Sequence, residues 1–252
     1  MSATGAEFWN SLPLGRGVTL IKQDAHGLAA LSKPAGVLSH PNTLKDQPRS
    51  LLDARYDKER ECFVWPSATG AEQLWLLNRL DSATSGVVLV ASEASLARQI
   101  KELFAKHAVT KLYSALVFGR PHAASETWRD RIGVERAGSY VRAGAGHVPA
   151  KSEMRVLEVA DGKTPVALIE LRPLTGRTHQ LRVQCAKRHL PIVGDATYGD
   201  FRRNRDFARA TGLKRLFLHS IETRLEYNRG GRKVAFQAAA PLPEEFRQAM
   251  RL

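Results

Sequence analysis

The feature that most constrains the fold is a short apolar run, Val87–Ala91, that follows a turn of small residues, 82–86. The run is rich in valine and shows no polar alternation, which is typical of a strand buried on both faces. Just before the turn, Arg79 and Asp81 flank Leu80. The sequence therefore predicts a carboxylate on a loop that a buried strand holds in place.

Asp81 by itself has an ordinary interpretation, because an aspartate before Ser and Thr usually accepts hydrogen bonds from turn amides and performs no chemistry. The surrounding pattern is more specific. Residues 79–86 read Arg-Leu-Asp-x-x-Thr-Ser-Gly, which resembles the catalytic motif of the RluA-type pseudouridine synthases. In that family the aspartate is the essential residue, so the resemblance implies that Asp81 is catalytic.

Further segments match the same family, so that the resemblance covers about residues 31–220, most of the chain. They are Lys-Pro-Ala-Gly at 33–36, Lys-x-Tyr-x-Ala-x-Val-x-Gly at 111–119, Gly-Arg-Thr-His-Gln-Leu-Arg at 176–182, Gly-Asp-x-x-Tyr-Gly at 194–199 and Leu-Phe-Leu-His-Ser at 216–220. The resemblance implies an enzyme that isomerises uridine in RNA to pseudouridine.

The resemblance also assigns roles to single residues. Tyr113 would lie in the active site against the target base, Arg177 would pair with the catalytic aspartate, and Leu218 would pack against the uracil ring. Taken without the first motif, Tyr113 reads as an ordinary half-buried strand tyrosine. The interpretation as a surface arginine on a helix describes Arg182 and Arg188 better than it describes Arg177.

The charge of the chain favours a polyanionic partner. Lys and Arg total 38 against 25 Asp and Glu, which gives a net charge of +13 and a pI near 10.1. Nucleic acid is the leading candidate. An anionic membrane surface is the weaker one, because no apolar run approaches the roughly 18 residues that a spanning helix needs. We therefore expect RNA, either tRNA or rRNA, as the partner, and no membrane.

A basic segment and one separate arginine are candidates for RNA contacts. The segment 202–215 contains six basic residues and one acidic residue, which predicts phosphate binding by Arg202, Arg203 and Arg205. Arg79 is the nearest candidate to fill the gap that a uridine leaves when it turns out of its stack.

The sequence predicts neither a metal nor a cofactor. It contains no phosphate-binding glycine loop and no dinucleotide-binding motif. Cys62 and Cys185 are 123 positions apart and lack histidines at metal-ligand spacing, so we expect two core thiols. The start of the chain does not read as a secretory signal, and we expect a cytoplasmic monomer.

Hydrophobic periodicity and turn residues predict most of the remaining elements. The expected strands are 18–21, 28–31, 87–91, 109–119, 154–159 and 166–171, the last two as an antiparallel pair, with further strands at 216–220, near Leu225 and at 234–236. The expected helices run from an N-cap at Ser92 to His107, from Arg177 to about His189, and from Pro243 to the end. We expect a loose lead-in at 1–17, a loop-rich connection with at most one short helix at 42–73, and loops or short hairpins at 125–150.

These elements predict only a mixed α and β fold, and the resemblance supplies the architecture. It implies one α+β domain over residues 1–252, with a largely antiparallel mixed sheet flanked by helices. A central basic cleft would hold Asp81, Tyr113 and Arg177. So little chain precedes Lys33 that we expect none of the small N-terminal RNA-binding (S4) domain that some members carry.

Two positions depart from the family pattern, and two other functions compete with the enzyme. Asn78 stands where the family usually has histidine, and Gln184 replaces the histidine that usually follows Arg-Val. A non-catalytic RNA-binding protein or RNA chaperone on the same fold would share every basic residue. A glycosidase would need two carboxylates, for which Asp195 is the only obvious partner of Asp81.

Overall fold

The computed structural model describes residues 3–67, 70–137, 140–162 and 164–251, with the backbone alone at 3–6, 134–137 and 140–144. The helices are α1 Ala3–Asn10, α2 Ala94–Ala105, α3 Gln180–Lys187, α4 Phe201–Thr211 and α5 Glu244–Met250, and a 3-10 helix spans Leu44–Arg49. The strands are β1 Thr19–Gln23, β2 Leu28–Lys33, β3 Arg55–Asp57, β4 Cys62–Ser67, β5 Gly70–Leu76, β6 Ser85–Ala91, β7 Thr110–Phe118, β8 Ser125–Ala137, β9 Tyr140–Ala145, β10 Val148–Ala160, β11 Val166–Pro173, β12 Leu218–Arg229 and β13 Arg232–Ala239.

The chain divides into two compact units. The first unit consists of Met1–Val109 and Glu222–Ala240, and the second of Thr110–Ile221 and Pro241–Leu252. Asp81 and Arg79 therefore belong to the first unit, whereas Tyr113, Arg177 and Leu218 belong to the second. The assignment of residues 1–252 to one catalytic domain stays a prediction.

In the first unit, antiparallel ladders join the strands in the order β1, β2, β6, β5, β4, β3, and β12 pairs with β13. Every residue of β6 is buried, which confirms the strand predicted at 87–91. Helix α2 packs Leu96 and Ile100 into the same apolar cluster as Leu89 of β6 and Phe236 of β13. The loop before β6 thus joins the most buried strand of this unit.

The loose lead-in expected at 1–17 and the loop-rich connection expected at 42–73 are wrong for this unit, although the short helix expected in the connection is present as the 3-10 helix Leu44–Arg49. Helix α1 is tied down by Trp9, which is buried, and the ring of Phe8 lies 5.9 Å from that of Trp65 on β4. Strands β3, β4 and β5 occupy the stretch expected to be loop-rich. The charged residues between β3 and β4 gave no strand signal in the sequence. They form the turn of this hairpin, in which Asp57 Oδ1 accepts the N–H groups of residues 59 and 60.

The helix predicted from Ser92 exists but begins later. Helix α2 starts at Ala94, with Glu93 at the N-cap. The backbone N–H of Ser92 instead donates to the Gly27 carbonyl at 2.9 Å. Ser92 therefore ties β6 to the turn between β1 and β2, and the N-cap assignment to Ser92 is wrong.

In the second unit, antiparallel ladders join the strands in the order β9, β8, β10, β11, β7. The pair predicted at 154–159 and 166–171 is confirmed, with Val156 opposite Ile169. The loops or short hairpins expected at 125–150 are wrong, because β8 alone spans 13 residues. Its Trp128 and Ile132 are buried, whereas the charged residues between them concealed the alternation.

The α+β class with a largely antiparallel mixed sheet is confirmed, since the ladders described above are antiparallel and helices occur along the same chain. Both cysteines are buried, as expected of core thiols. Among the described residues, no helix combines the length and apolar character that a membrane crossing requires.

Candidate active site

The loop that carries Asp81 is fixed from the Lys-Pro-Ala-Gly segment. The side chain of Lys33 is fully buried, and its ammonium donates to the carbonyl oxygens of Val37 at 2.6 Å, Pro34 at 3.0 Å and Ser82 at 3.0 Å. The Gly36 N–H also donates to the Ser82 carbonyl, at 2.8 Å. A buried ammonium is stable only when its donors are satisfied. The residue after Asp81 is therefore held in a defined place.

The residue before Asp81 is fixed as well. Ser39 is buried, and its Oγ accepts the Leu80 N–H at 3.0 Å and donates to the Leu80 carbonyl at 2.8 Å. The Thr84 N–H donates to the Asp81 carbonyl at 3.0 Å, which closes the turn. The Asp81 side chain is half-buried. The backbone on both sides of Asp81 is thus anchored, which fixes the point from which its side chain extends.

Asn78, the first departure from the family pattern, has a structural role. Its Oδ1 accepts the Leu89 N–H at 2.7 Å, and the Leu77 N–H donates to the Leu89 carbonyl at 3.0 Å. The side chain at 78 therefore extends the pairing between the end of β5 and β6. The asparagine amide does not titrate, so its oxygen can accept this N–H at any pH, whereas a histidine nitrogen accepts only when it carries no hydrogen.

Arg79 is exposed, as an RNA contact requires. Its Nη1 lies 3.2 Å from Nε2 of His40, and the imidazole of His40 stacks on the ring of Tyr56. The two residues that flank Leu80 thus differ: Asp81 is held through its backbone, and Arg79 is held through its side chain.

In the second unit, Tyr113 lies on β7, is half-buried and stands opposite Leu171 of β11. Lys111 lies two residues earlier on the same face of the strand. A Cβ on Gly176 would lie 3.8 Å from the Lys111 ammonium, and burial lowers the pKa of Lys111. Lys111 begins the Lys-x-Tyr motif, whose two-residue spacing places it on the same face as Tyr113, but the sequence alone assigned it no role in the site.

Arg177 lies outside helix α3. The helix begins at Gln180, after His179 adopts a left-handed backbone with φ of 52°, so the prediction of Arg177 in the first helical turn is wrong. The Arg177 side chain is exposed, and its Nε donates to the Pro149 carbonyl at 3.2 Å. Since Asp81 belongs to the other unit, the pairing of Arg177 with Asp81 stays a prediction.

Gln180 positions the backbone of Arg177. This side chain is 4% exposed, and its Oε1 accepts Oγ1–H of Thr175 at 2.7 Å and the Arg177 N–H at 3.1 Å. Its Nε2 donates to the Lys151 carbonyl at 3.0 Å and to Ser152 Oγ at 2.8 Å. Such a satisfied buried amide is a rigid support for the turn that carries Arg177.

Gln184, the second departure, belongs to the adjoining network. It is fully buried, its Oε1 accepts from Ser152 Oγ at 2.7 Å, and its Nε2 donates to Asp130 Oδ2 at 2.9 Å. Arg188 donates to the same Asp130 oxygen at 2.9 Å and stacks over Trp128. The replacement of histidine at 184 thus serves packing within this unit.

Arg182 is not a surface arginine, and that prediction is wrong. It is 7% exposed, and its Nε and Nη2 donate to the two Asp195 carboxylate oxygens, each at 2.8 Å. Burial alone would raise the pKa of Asp195, but the Arg182 guanidinium and the Tyr198 and Thr197 N–H groups outweigh burial and lower the pKa. Asp195 is therefore a fixed anion, unsuited to the proton transfers that a glycosidase needs.

The remaining predicted contacts lie on β12 and α4. Leu218, the first residue of β12, is buried. Arg202 and Arg205 on α4 are exposed. Arg203 differs, because its guanidinium lies 4.4 Å from the centre of the Phe118 ring and donates to the Pro165 carbonyl at 3.3 Å. Arg203 therefore also holds α4 against β7.

A family model described as RNA pseudouridylate synthase matches residues 27–187. The chain belongs to this family, and the resemblance found in the sequence is confirmed. This chain is therefore an RNA pseudouridine synthase, which is a kind of isomerase.

The relatives carry two kinds of name. "tRNA pseudouridine synthase C" of Pectobacterium carotovorum is 33% identical, with 89% of this chain and 59% of that protein covered, and the Yersinia pestis protein of the same name is 34% identical, with 82% and 80% covered. "Ribosomal large subunit pseudouridine synthase C" of Vibrio parahaemolyticus is 32% identical, with 82% and 61% covered. This chain thus spans about three fifths of the first and third of these relatives.

A solved structure supports the fold. Human RNA pseudouridylate synthase domain containing 4 superimposes with a TM-score of 0.64 at 22% identity, covering 100% of this chain and 97% of that chain.

The Asp195 anion predicts an acid-dependent loss of stability. Asp195→Asn should cost roughly 3–5 kcal/mol at pH 7, because it leaves Arg182 buried without this carboxylate. The pKa of Asp195 is lowered in the folded protein, so its contribution is present above the unfolded pKa of about 3.9 and is lost as pH falls through the lower folded pKa. Urea unfolding midpoints at several pH values measure both effects.

Asp206→Asn provides the matched control, since Asp206 is exposed on α4 and pairs only loosely with Arg209 at 3.8 Å. Its unfolding midpoint should stay that of the unmodified protein. A difference between Asp195→Asn and the unmodified protein that persists unchanged below the folded pKa would contradict the assignment.

Proposed function

We propose that this enzyme converts specific uridines of structured RNA, in tRNA or rRNA, into pseudouridine, with Asp81 as the essential carboxylate. The observation that carries the proposal is the anchoring of the Asp81 turn by Ser39 and Lys33. In the reaction the bond from N1 to C1′ breaks, the uracil turns while enclosed, and C5 bonds to C1′ as C5 loses its proton to N1 by way of solvent. The product is an isomer of the substrate.

A carboxylate suits this reaction because glycosidic cleavage builds positive charge on the sugar, which an anion can stabilise or trap. Two routes stay open for Asp81. It can attack C1′, or it can act with Tyr113 to move a proton of the sugar. The phenol of Tyr113 can stack on the base in either route.

The target uridine must leave its stack before it can react, at a cost of roughly a few kcal/mol. In the proposal Arg79 fills the gap in the RNA, and Leu218 supplies an apolar wall for the uracil. The exposed guanidinium of Arg79 and the buried side chain of Leu218 suit these two tasks. A basic cleft holding Asp81, Tyr113 and Arg177 belongs to the same proposal.

The RNA substrate of this enzyme can belong to either of two classes. The relatives are named for tRNA and for the large ribosomal subunit, so both classes remain in the proposal. The net charge of +13 suits either one. The cytoplasmic location and the monomeric state stay predictions.

The alternative is a non-catalytic RNA-binding protein or RNA chaperone on the same fold. Total RNA lacking its pseudouridines would be incubated with the purified protein, and pseudouridine would be mapped at single-nucleotide resolution. New pseudouridine at defined sites supports the enzyme and names its RNA. RNA bound without any new pseudouridine in either tRNA or rRNA supports the alternative.

Arg177 and Arg182 allow a direct comparison of two arginines in one segment. If Arg177 orients Asp81, Arg177→Met should lower turnover at least tenfold while RNA affinity changes little. Because Arg177 is exposed, the unfolding midpoint should barely move. Single-turnover rates and an RNA titration at fixed salt measure these effects.

Arg182→Lys, which keeps a charge beside Asp195, provides the comparison variant. If Arg177→Met retains the full rate and Arg182→Lys loses it with a folded core, the orienting role moves from Arg177 to Arg182.

The arginines of α4 should bind backbone phosphate. Arg202→Ser with Arg205→Ser should weaken binding to RNAs of unrelated sequence and reduce the salt slope of log Kd by about 0.7–0.9 for each lost contact. Arg203→Ser alone should instead lower the unfolding midpoint, because Arg203 packs on Phe118. A salt slope unchanged in the double variant would place the phosphate contacts elsewhere.

A further inference from the structure

The side chain of Arg79 contacts another side chain although it is exposed. An arginine loses up to about 2 kcal/mol of rotamer freedom when it is held in one place. Its Nη1 lies 3.2 Å from Nε2 of His40, 39 positions earlier in the chain. This contact places the guanidinium beside the loop of Asp81 before any RNA is bound.

His40 is itself held by a column of rings. Its imidazole is parallel to the ring of Tyr56, with the centroids 4.9 Å apart and the planes 11° apart. The Tyr56 ring lies 4.9 Å from that of Phe63 on β4, which is fully buried. The column therefore connects His40 to the core of the first unit through two strands.

The tautomer of His40 follows from its two contacts. Nδ1 lies 3.2 Å from the Pro41 carbonyl, which can only accept, so Nδ1 carries the hydrogen. In the neutral ring Nε2 then has a lone pair. The guanidinium of Arg79 can only donate, and it donates to this lone pair.

We propose that His40 is a positioning residue that aims Arg79 at the RNA helix, and that only its neutral form can do so. The inference rests on the proposed function, in which Arg79 takes the place of the displaced uridine. An arginine that is already held in position loses less conformational entropy when it enters the RNA, so the step that displaces the uridine becomes faster.

The charges around His40 agree with a neutral ring near pH 7. Burial is the main cause that lowers the pKa of His40, and Arg79 and Lys58 lower it further, whereas the Pro41 carbonyl and Glu61 raise it. Burial and Glu61 raise the pKa of Tyr56 to about 12, so the stacked phenol stays neutral. Acid would protonate Nε2 and set two cations against each other, which releases Arg79.

A double-mutant cycle tests the proposal. Arg79→Met should slow single-turnover pseudouridine formation in a folded RNA by about tenfold or more, and His40→Phe, which keeps a ring on Tyr56 but removes the acceptor, should cause a similar loss. The double variant should be no slower than Arg79→Met. On an unstructured oligonucleotide that contains the same uridine, where no stacked helix has to be entered, the loss in His40→Phe should be smaller than on the folded RNA.

The pH profile and a ring control separate positioning from packing. The rate on folded RNA should fall toward acid in the unmodified protein, and this fall should be absent in His40→Phe. Tyr56→Phe keeps the column and should change nothing. Additive losses in the double variant, or a full rate in His40→Phe with an intact unfolding midpoint, would overturn the proposal.

The cycle also works if no pseudouridine forms. In that case the proposed function fails by itself, and the same variants are compared by their affinity for folded RNA. Non-additive losses of affinity would still support the contact between His40 and Arg79, and additive losses would refute it.

Discussion

The buried ammonium of Lys33 is the interaction on which the candidate site depends most. A lysine without solvent is stable only if its hydrogens find acceptors, and here three carbonyl groups receive them. Two of these acceptors lie in the segment that follows β2, and the third belongs to Ser82, beside Asp81. The hydrogen bonds that stabilise the buried charge thereby hold the two loops at a fixed distance from each other. Ser39 repeats the principle on the other side of Asp81 with a neutral hydroxyl.

The second unit uses buried polar groups in the same way. Gln180 satisfies the turn that carries Arg177, and Gln184 links Ser152 to Asp130. These amides neither titrate nor react, but every hydrogen bond lost among them leaves a buried partner unsatisfied, which costs about 1–3 kcal/mol. The motif Gly-Arg-Thr-His-Gln-Leu-Arg therefore contains residues that hold the backbone in place, such as Gln180, beside the residue proposed for catalysis, Arg177.

Sequence reasoning predicted the elements whose own side chains reveal them. Val87–Ala91 is continuous and apolar, so its buried strand was evident. Strand β8 was missed because Asp130 lies on its inward face between Trp128 and Ile132. The position of Arg177 before α3 was missed because it depends on the left-handed backbone of His179, a conformation that is uncommon outside glycine. The tie from Lys33 to Ser82 crosses 49 positions, and no local pattern announces it.

Asp81→Asn tests whether this one carboxylate performs the chemistry. The substitution keeps the shape of the side chain and removes its charge. Tritium release from C5-labelled uridine in tRNA and rRNA would be followed together with RNA affinity at fixed salt. The catalytic role of Asp81 predicts that release disappears while affinity stays within about twofold, because phosphate contacts dominate binding. Tritium release by Asp81→Asn at the rate of the unmodified protein would contradict it.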